Sequence, residues 1–245
     1  MFNIKIANII VRIDNQYSYV YRLCKNYIVE DTLPEDLYVR VTDEEIGAQI
    51  EASEIPTSPA YAEGVCVYRQ ICEKLPSMFE SFLFHGAVIE YEGRGYVFAA
   101  KSGTGKSTHI ALWQRHFGDG VRVINGDKPI MRFENGVLYA YGTPWCGKEG
   151  LEINARVPVC AICFLERGQQ NEIAPISAAD AVMRVFQQVL TPTDLQSVDT
   201  LFPLLDQMLR EIPCYLLKCT MDEEAAVVSY EGMRGEPRKG EDHED

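Results

Sequence analysis

Residues 96–117 place a short apolar strand, a glycine-bearing loop and an amphipathic helix in direct succession, and no other stretch restricts the fold as much. Tyr96-Val97-Phe98-Ala99 reads as a strand. Ala100-Lys101-Ser102-Gly103-Thr104-Gly105-Lys106-Ser107-Thr108 follows it, close to the phosphate-loop pattern G-x-x-x-x-G-K-[ST]. Ile110, Trp113 and Phe117 then recur at helical spacing, and Gly118 is placed to end that helix.

The chemistry expected of such a loop follows from its backbone. Gly103 and Gly105 let the chain wrap close to a polyphosphate, so that consecutive N–H groups point at its oxygens. The helix start adds positive potential. Lys106 is placed to reach the β- and γ-phosphates, and the Ser107 hydroxyl to meet Mg²⁺. Ser102, Thr104 and Thr108 complete the expected nucleotide-binding segment. The Lys106 amine is expected to be solvated when no nucleotide is bound. Ala100 stands where the pattern has its first glycine, a change that costs on the order of 1 kcal/mol or more only if φ there is positive.

Charge narrows the partners. The chain has 36 acidic against 23 basic residues, a net charge of −13, and such a surface repels DNA and RNA. A local cationic pocket for a nucleotide remains compatible with it. No apolar run approaches the ~20 residues that span a bilayer, and Met1-Phe2-Asn3-Ile4-Lys5 lacks the layout of a signal peptide. A cytoplasmic chain without a membrane partner is therefore expected. Its eight cysteines show no framework spacing, which fits reduced thiols. Cys160 and Cys163 match C-x-x-C but fall inside an apolar strand, where they point to opposite faces; core packing is the expected role.

The remaining pattern divides the chain into an N-terminal α+β region at 1–78, a core at 79–231 and a charged tail at 232–245 that is expected to be disordered. The first region holds a strand at Asn3–Ile13, another at Leu37–Val41, and a helix capped by Ser58 with Pro59 at its first position. Tyr61, Val65, Tyr68, Cys72 and Leu75 line one face of that helix. This region either stands as a small lobe or extends the main sheet. In the core, Phe82–Tyr91 and Tyr96–Ala99 flank a hairpin turn at Glu92–Gly95. Val121–Asn125, Ile130–Phe133 and Val137–Tyr141 are strands, the last two joined at Glu134-Asn135-Gly136. Ser177 opens a helix carrying Val182, Phe186, Val189 and Leu190. A shorter helix near Pro203–Arg210, a strand at Tyr215–Lys218 and a segment at Glu223–Tyr230 close the fold. Alternating strands and helices give an α/β class, and two adjacent hairpins make the sheet mixed rather than purely parallel.

Phosphoryl transfer needs an acidic anchor at the end of a neighbouring strand. Asp127 is the candidate, following the apolar Val121–Ile124 segment. Its carboxylate can hold Mg²⁺ or accept the proton of an attacking hydroxyl; a turn-forming aspartate in Asn-Gly-Asp-Lys-Pro is the alternative. His85 lies at the start of the strand pair that leads into the loop, and alone it reads as a structural histidine.

Taken together, His85-Gly86-Ala87-Val88, the hairpin, Ser102-Gly103-Thr104-Gly105-Lys106-Ser107 and an acidic turn about twenty residues on resemble the HPr kinase/phosphorylase family and its shorter relatives. That family shares its core with phosphoenolpyruvate carboxykinase, whose loop is similar to Ser102–Lys106. The resemblance covers roughly Ser81–Gly168. It implies a mixed β-sheet P-loop core of HPr kinase/phosphoenolpyruvate carboxykinase type with a small N-terminal α+β region. It implies ATP with Mg²⁺ on Ser107 and Asp127, and transfer of the γ-phosphoryl group to a serine-type hydroxyl on a protein, peptide or small molecule. It places His85 near the phosphates beside Lys106 and Asp127, and it is compatible with a homo-oligomer. The paired acids of the family are matched here only by Asp127, which weighs against a reversible phosphorylase mechanism. Trp145, Lys148 and Glu149 read either as a substrate loop or as a solvated turn, and Arg156 as a cationic helper. A catalytically weak or inactive nucleotide-binding regulatory protein is the rival reading, favoured by Ala100 and the single carboxylate.

Overall fold

The computed structural model describes residues 1–101 and 103–235; Ser102 and residues 236–245, most of the expected tail, lie outside the described residues. At the N-terminus, β1 (Phe2–Ile6) and β2 (Ile9–Asp14) form a hairpin where a single strand was expected. The reversal falls on Ala7 and Asn8, whose φ values are 47° and 61°. Two successive left-handed residues make a turn that matches strand twist, but Ala-Asn lacks the glycine that normally announces it. α1 (Ser18–Leu23), a 3₁₀ turn, β3 (Ile28–Val29) and β4 (Leu37–Arg40) follow. The four strands make a sheet of their own in the order β3-β1-β2-β4.

α2 (Asp43–Glu51) opens on a capping box between Thr42 and Glu45, and α3 (Pro59–Phe79) on the Ser58 side chain. The buried face of α3 runs through Ala62, Val67, Ile71, Cys72 and Leu75, whereas Tyr61 is exposed and Val65 and Tyr68 are half-buried. The helix is covered from the side of the small sheet and from the side of the main body, so one apolar core holds Ile4, Val11, Ile71 and Leu75 together with Leu83, Ile130 and Tyr141. Burial of that continuous apolar surface ties the N-terminal sheet to the rest. Glu63, fully buried, accepts hydrogen bonds from the Gln16 and Tyr17 N–H groups and so serves the start of α1, which has no side-chain cap.

The main body contains β5 (Ser81–Leu83), β6 (Ala87–Tyr91), β7 (Arg94–Ala99), α4 (Lys106–Phe117), β8 (Arg122–Asn125), β9 (Ile130–Glu134), β10 (Val137–Tyr141), β11 (Arg156–Arg167), β12 (Glu172–Ile176), α5 (Ala178–Phe186), α6 (Leu195–Glu211), β13 (Cys214–Cys219) and α7 (Glu224–Met233). Its nine strands form one mixed sheet, β5-β9-β10-β11-β7-β6-β8, with β13 between β11 and β12. β11 carries the curl. Its first residues pair antiparallel with β10, and its later ones pair parallel with both β7 and β13. The result is a mixed α/β fold. Among the described residues no helix is long and apolar enough to cross a membrane.

Several boundaries differ from expectation for identifiable reasons. The Phe82–Tyr91 strand is broken: β5 pairs with β9 and β6 with β7, and Phe84, His85 and Gly86 form the step between them. α6 runs through Pro203 from a cap at Asp194; burial of Leu201, Leu204, Leu205 and Met208 offsets the interior proline. α5 buries Ala181 and Val185 rather than Val182 and Phe186. α7 continues through buried Met233, into the segment expected to be tail. Cys160 and Cys163 lie in β11, and all eight cysteines are free thiols.

Candidate functional site

Strand direction brings the candidate residues to one edge. β6 lies between β7 and β8 and is antiparallel to both, so β7 and β8 end where β6 begins. The glycine loop leaves β7, the Asn125–Lys128 turn leaves β8, and His85 immediately precedes β6. β11 and β13 run parallel to β7 and deliver Arg167 and Thr220 to the same edge. In sheets of this kind, ligands bind outside the carboxyl ends of the parallel strands.

In the loop, positive φ falls on Gly103 (75°) and Gly105 (121°) and not on Ala100. The alanine methyl therefore costs no backbone strain at that position, and it is buried in the core under the loop. Thr104 N–H donates to the Lys101 carbonyl at 3.1 Å, and the Arg167 guanidinium donates to the Gly103 carbonyl at 2.9 Å. α4 begins at Lys106 with Gly105 as its cap residue and no side-chain cap. Its first amides thus lack the usual side-chain acceptor and leave a site for an anion.

The Lys106 amine is not solvated as expected. It is half-buried, donates to the Ala100 carbonyl at 3.2 Å, and lies 3.2 Å from His85 Nε2. Burial lowers its pKa, the Asp127 carboxylate opposes that, and nearby Lys128 adds to it. His85 Nε2 also lies 3.1 Å from Asp127 Oδ1. One ring nitrogen cannot donate to the carboxylate and accept from the lysine at once, so the proton belongs on Nε2, facing Asp127, and Lys106 is left to the Ala100 carbonyl.

Asp127 Oδ2 is ion-paired with Lys128. Burial alone would raise the Asp127 pKa. Hydrogen bonds from His85 and Lys128, together with their charges, outweigh this and hold the carboxyl below the usual carboxylate range. The turn is fixed from beneath by Asn125, which is fully buried. Its Oδ1 accepts from the N–H groups of Asp127 (2.9 Å) and Lys128 (2.6 Å), and its Nδ2 donates to the Thr143 carbonyl at 3.0 Å. The Thr143 hydroxyl donates to the Lys128 carbonyl at 2.7 Å. Gly86 N–H donates to the Asp127 carbonyl at 2.9 Å, which joins the β5–β6 step to the same turn. A Cβ at Gly86 would meet the Phe84 ring at 3.0 Å and the Phe98 carbonyl at 3.1 Å, so no larger residue fits beside His85.

A cleft of about 730 Å³ collects these groups. His85, Gly103, Gly105, Lys106, Ser107, Thr108 and Asp127 line it together with Lys128, Lys148 and Glu149. Three lysines face two carboxylates there, a cationic pocket in a chain of net charge −13. A second cavity of about 480 Å³ continues past Thr104 and Thr108 to Leu112, Leu165, Arg167 and Met221. Among the described residues no three His, Cys, Asp or Glu side chains group as a metal site. Mg²⁺ nonetheless takes one or two protein oxygens with the remainder from phosphate and water, and Ser107 and Asp127 in one cleft fit that donor set.

Two expected residues stand elsewhere. Arg156 begins β11, at the end of the sheet away from the loop, where it pairs with Glu134 and lies 4.3 Å from the Tyr139 ring centre. It is not a cationic helper of the cleft. Trp145 faces a neighbouring cavity and packs against Tyr68 with ring centres 5.7 Å apart. Sequence reading missed Lys128, Arg167 and Asn125. Lys128 adjoins Asp127, and Asn125 holds the same turn by hydrogen bonds to residues two and three positions on, so both were within reach of the argument; Arg167 carries no local signal, since strand pairing alone brings it in.

The family model described as SynChlorMet cassette protein ScmC matches residues 65–224, and the chain belongs to that family. No curated protein matches it. Among solved structures, the Hpr(Ser) kinase/phosphatase from Coxiella burnetii is similar over 62% of this chain and 88% of the other, with 11% identity and a TM-score of 0.35.

Proposed function

We propose that this member of the ScmC family is an ATP- and Mg²⁺-dependent kinase that transfers the γ-phosphoryl group to a serine-type hydroxyl. The observation that carries the reading is the convergence of an uncapped helix start, Lys106, His85 and Asp127 on one cationic cleft. The triphosphate lies along the loop, with amides near Gly103–Ser107 and the Lys106 ammonium toward its oxygens. The nucleoside occupies the cavity between Leu112, Leu165 and Arg167. Ser107 and Asp127 would hold the ion, whose charge would offset that of the phosphates.

The catalytic contribution of the chain is positioning and electrostatics. Lys106 meets the charge that spreads over the transferred group. Asp127, held ionised by His85 and Lys128, is a weak proton acceptor because its pKa lies far below neutrality. It therefore anchors the ion and orients the His85 ring, and a loose phosphoryl transition state asks for little more.

Titration calorimetry with Mg²⁺-ATP tests the binding step, and ³¹P NMR of the same mixture over hours tests transfer. Absence of heat would remove the proposal. A second reading, nucleotide binding without transfer, is favoured by one observation: both Asp127 oxygens already have cationic or histidine partners. Heat of binding with no turnover in the presence of cell extract would favour that reading.

A further inference from the structure

A cavity of about 590 Å³ opens beside the cleft, between the N-terminal helices and the segment after β10. Tyr19 comes from α1, Tyr61, Val65 and Tyr68 from α3, and Trp145 from the segment that also carries Lys148. The cavity and the cleft share Asp127, Lys128, Gly147 and Lys148. Resting on the kinase reading, we propose that this cavity is the acceptor site, and that the acceptor is a small alcohol whose hydroxyl is carried on an uncharged apolar or aromatic body.

Continuity fixes the first half of the proposal. A hydroxyl at the shared end stands beside Asp127 and Lys128, where the transferred group would be presented, while the rest of the molecule extends between α3 and Trp145. During transfer the alcohol oxygen bonds to the γ-phosphorus, the bridging bond to ADP breaks, and the hydroxyl proton passes to solvent. The lining fixes the second half. Asp127 is the only carboxylate among the lining residues, and it is already paired with Lys128 and His85. Nothing else there answers an ammonium group, so the amino group of a free amino acid would lose hydration without gaining a partner. Aromatic walls instead favour a ring or branched chain. The size suits one small molecule, within the range of ligand pockets. Tyr61 is exposed, at 52%, with its ring centre 6.0 Å from that of Tyr19, so the two rings present a joint aromatic surface to the cavity. Trp145 has a buried indole N–H with no partner among the described residues, so packing alone orients its ring.

The test uses 3-phenylpropan-1-ol, glycerol and serine as probes of the full chain. Saturation-transfer NMR without nucleotide reads binding alone, and ³¹P NMR with Mg²⁺-ATP reads transfer. The phenyl alcohol is expected to bind about tenfold more tightly than the other two, and Tyr61→Ala and Val65→Ala to weaken it by about the same factor while Mg²⁺-ATP binding is unchanged. Both side chains have at least part of their surface exposed, so both variants should fold, and circular dichroism verifies it. Equal binding of the three probes, or phenyl-alcohol binding indifferent to both substitutions, would overturn the assignment. So would transfer to a protein-borne serine with none to the small alcohol. Selective binding with no phosphate moved to any acceptor would leave the cavity a binding site and sink the kinase reading instead.

Discussion

His85 Nε2 and Asp127 Oδ1 stand 3.1 Å apart although 42 positions separate them, because β6 starts where β8 ends. The contact holds an imidazole proton against a carboxylate at the mouth of the glycine loop. It also settles where the Lys106 ammonium goes: to the Ala100 carbonyl, 3.2 Å away. A triphosphate would give that lysine an anionic partner in place of a neutral carbonyl.

Lys106→Ala is expected to lower phosphoryl transfer by about 10²-fold or more, the usual effect of removing one charge-stabilising donor. The fold should be unaffected, since the amine makes one neutral hydrogen bond and burial already lowers its pKa. Turnover by ³¹P NMR and a thermal melt check the two halves; full turnover in a folded variant refutes the role.

Asp127→Asn should cost more, on the order of 10³-fold in transfer, and should weaken the Mg²⁺ dependence of nucleotide binding. The sign of its pH effect follows from its lowered pKa. Stability from the ionised carboxylate is present above the ordinary value of 3.8 and is lost as pH falls below it toward the depressed folded value. Activity from pH 5 upward should therefore show no inflection from Asp127. An acidic limb near pH 5 or 6 that disappears in the Asn variant would contradict this.

Asn125→Ala removes the acceptor for two backbone amides and the donor to Thr143. Leaving such groups unpaired costs about 1–3 kcal/mol. Chemical denaturation should show that loss, together with weaker Mg²⁺-ATP binding, because the turn no longer presents Asp127. Unchanged stability would mean that the turn is held by something other than this side chain.

His109 is 2% exposed and stacks edge-on against Phe98, with ring centres 4.6 Å apart. Burial pushes its pKa from 6.5 down to about 4. The unfolded chain takes up the proton first, so stability should fall by about 3 kcal/mol as pH drops from 6.5 to 4. His109→Gln should flatten that slope in urea denaturation series. A slope that persists in the variant would place the titrating group elsewhere.

The glycine loop and its helix were legible because their signals are local. Gly103, Gly105 and the Ile110–Trp113 spacing act within one or two turns of chain, and Gly118 caps α4 where expected. Asp127 was legible as an acid after an apolar strand, and the hairpin at Asn135-Gly136 from its turn residues. The hairpin at Ala7-Asn8 was not, since neither its apolar flanks nor its residues mark a reversal. Arg156 was misplaced for the opposite reason: its position before an apolar strand is visible, but which end of the sheet that strand starts from is not. Arg167 carries charge without a motif, and nothing local distinguishes it from a solvated side chain, whereas Lys128 stands next to Asp127 in the chain.

Local chain chemistry by itself determined that a strand, a glycine-bearing loop and a helix follow one another, with an acid some twenty residues on. Only the tertiary structure decided that His85, Lys106 and Asp127 share one cleft, that Arg156 lies away from it, and that α3 walls the adjoining cavity. The reason is physical: turns and helix starts depend on a few neighbouring dihedrals, whereas strand order is set by burying two faces of a sheet at once, a choice that no short segment contains.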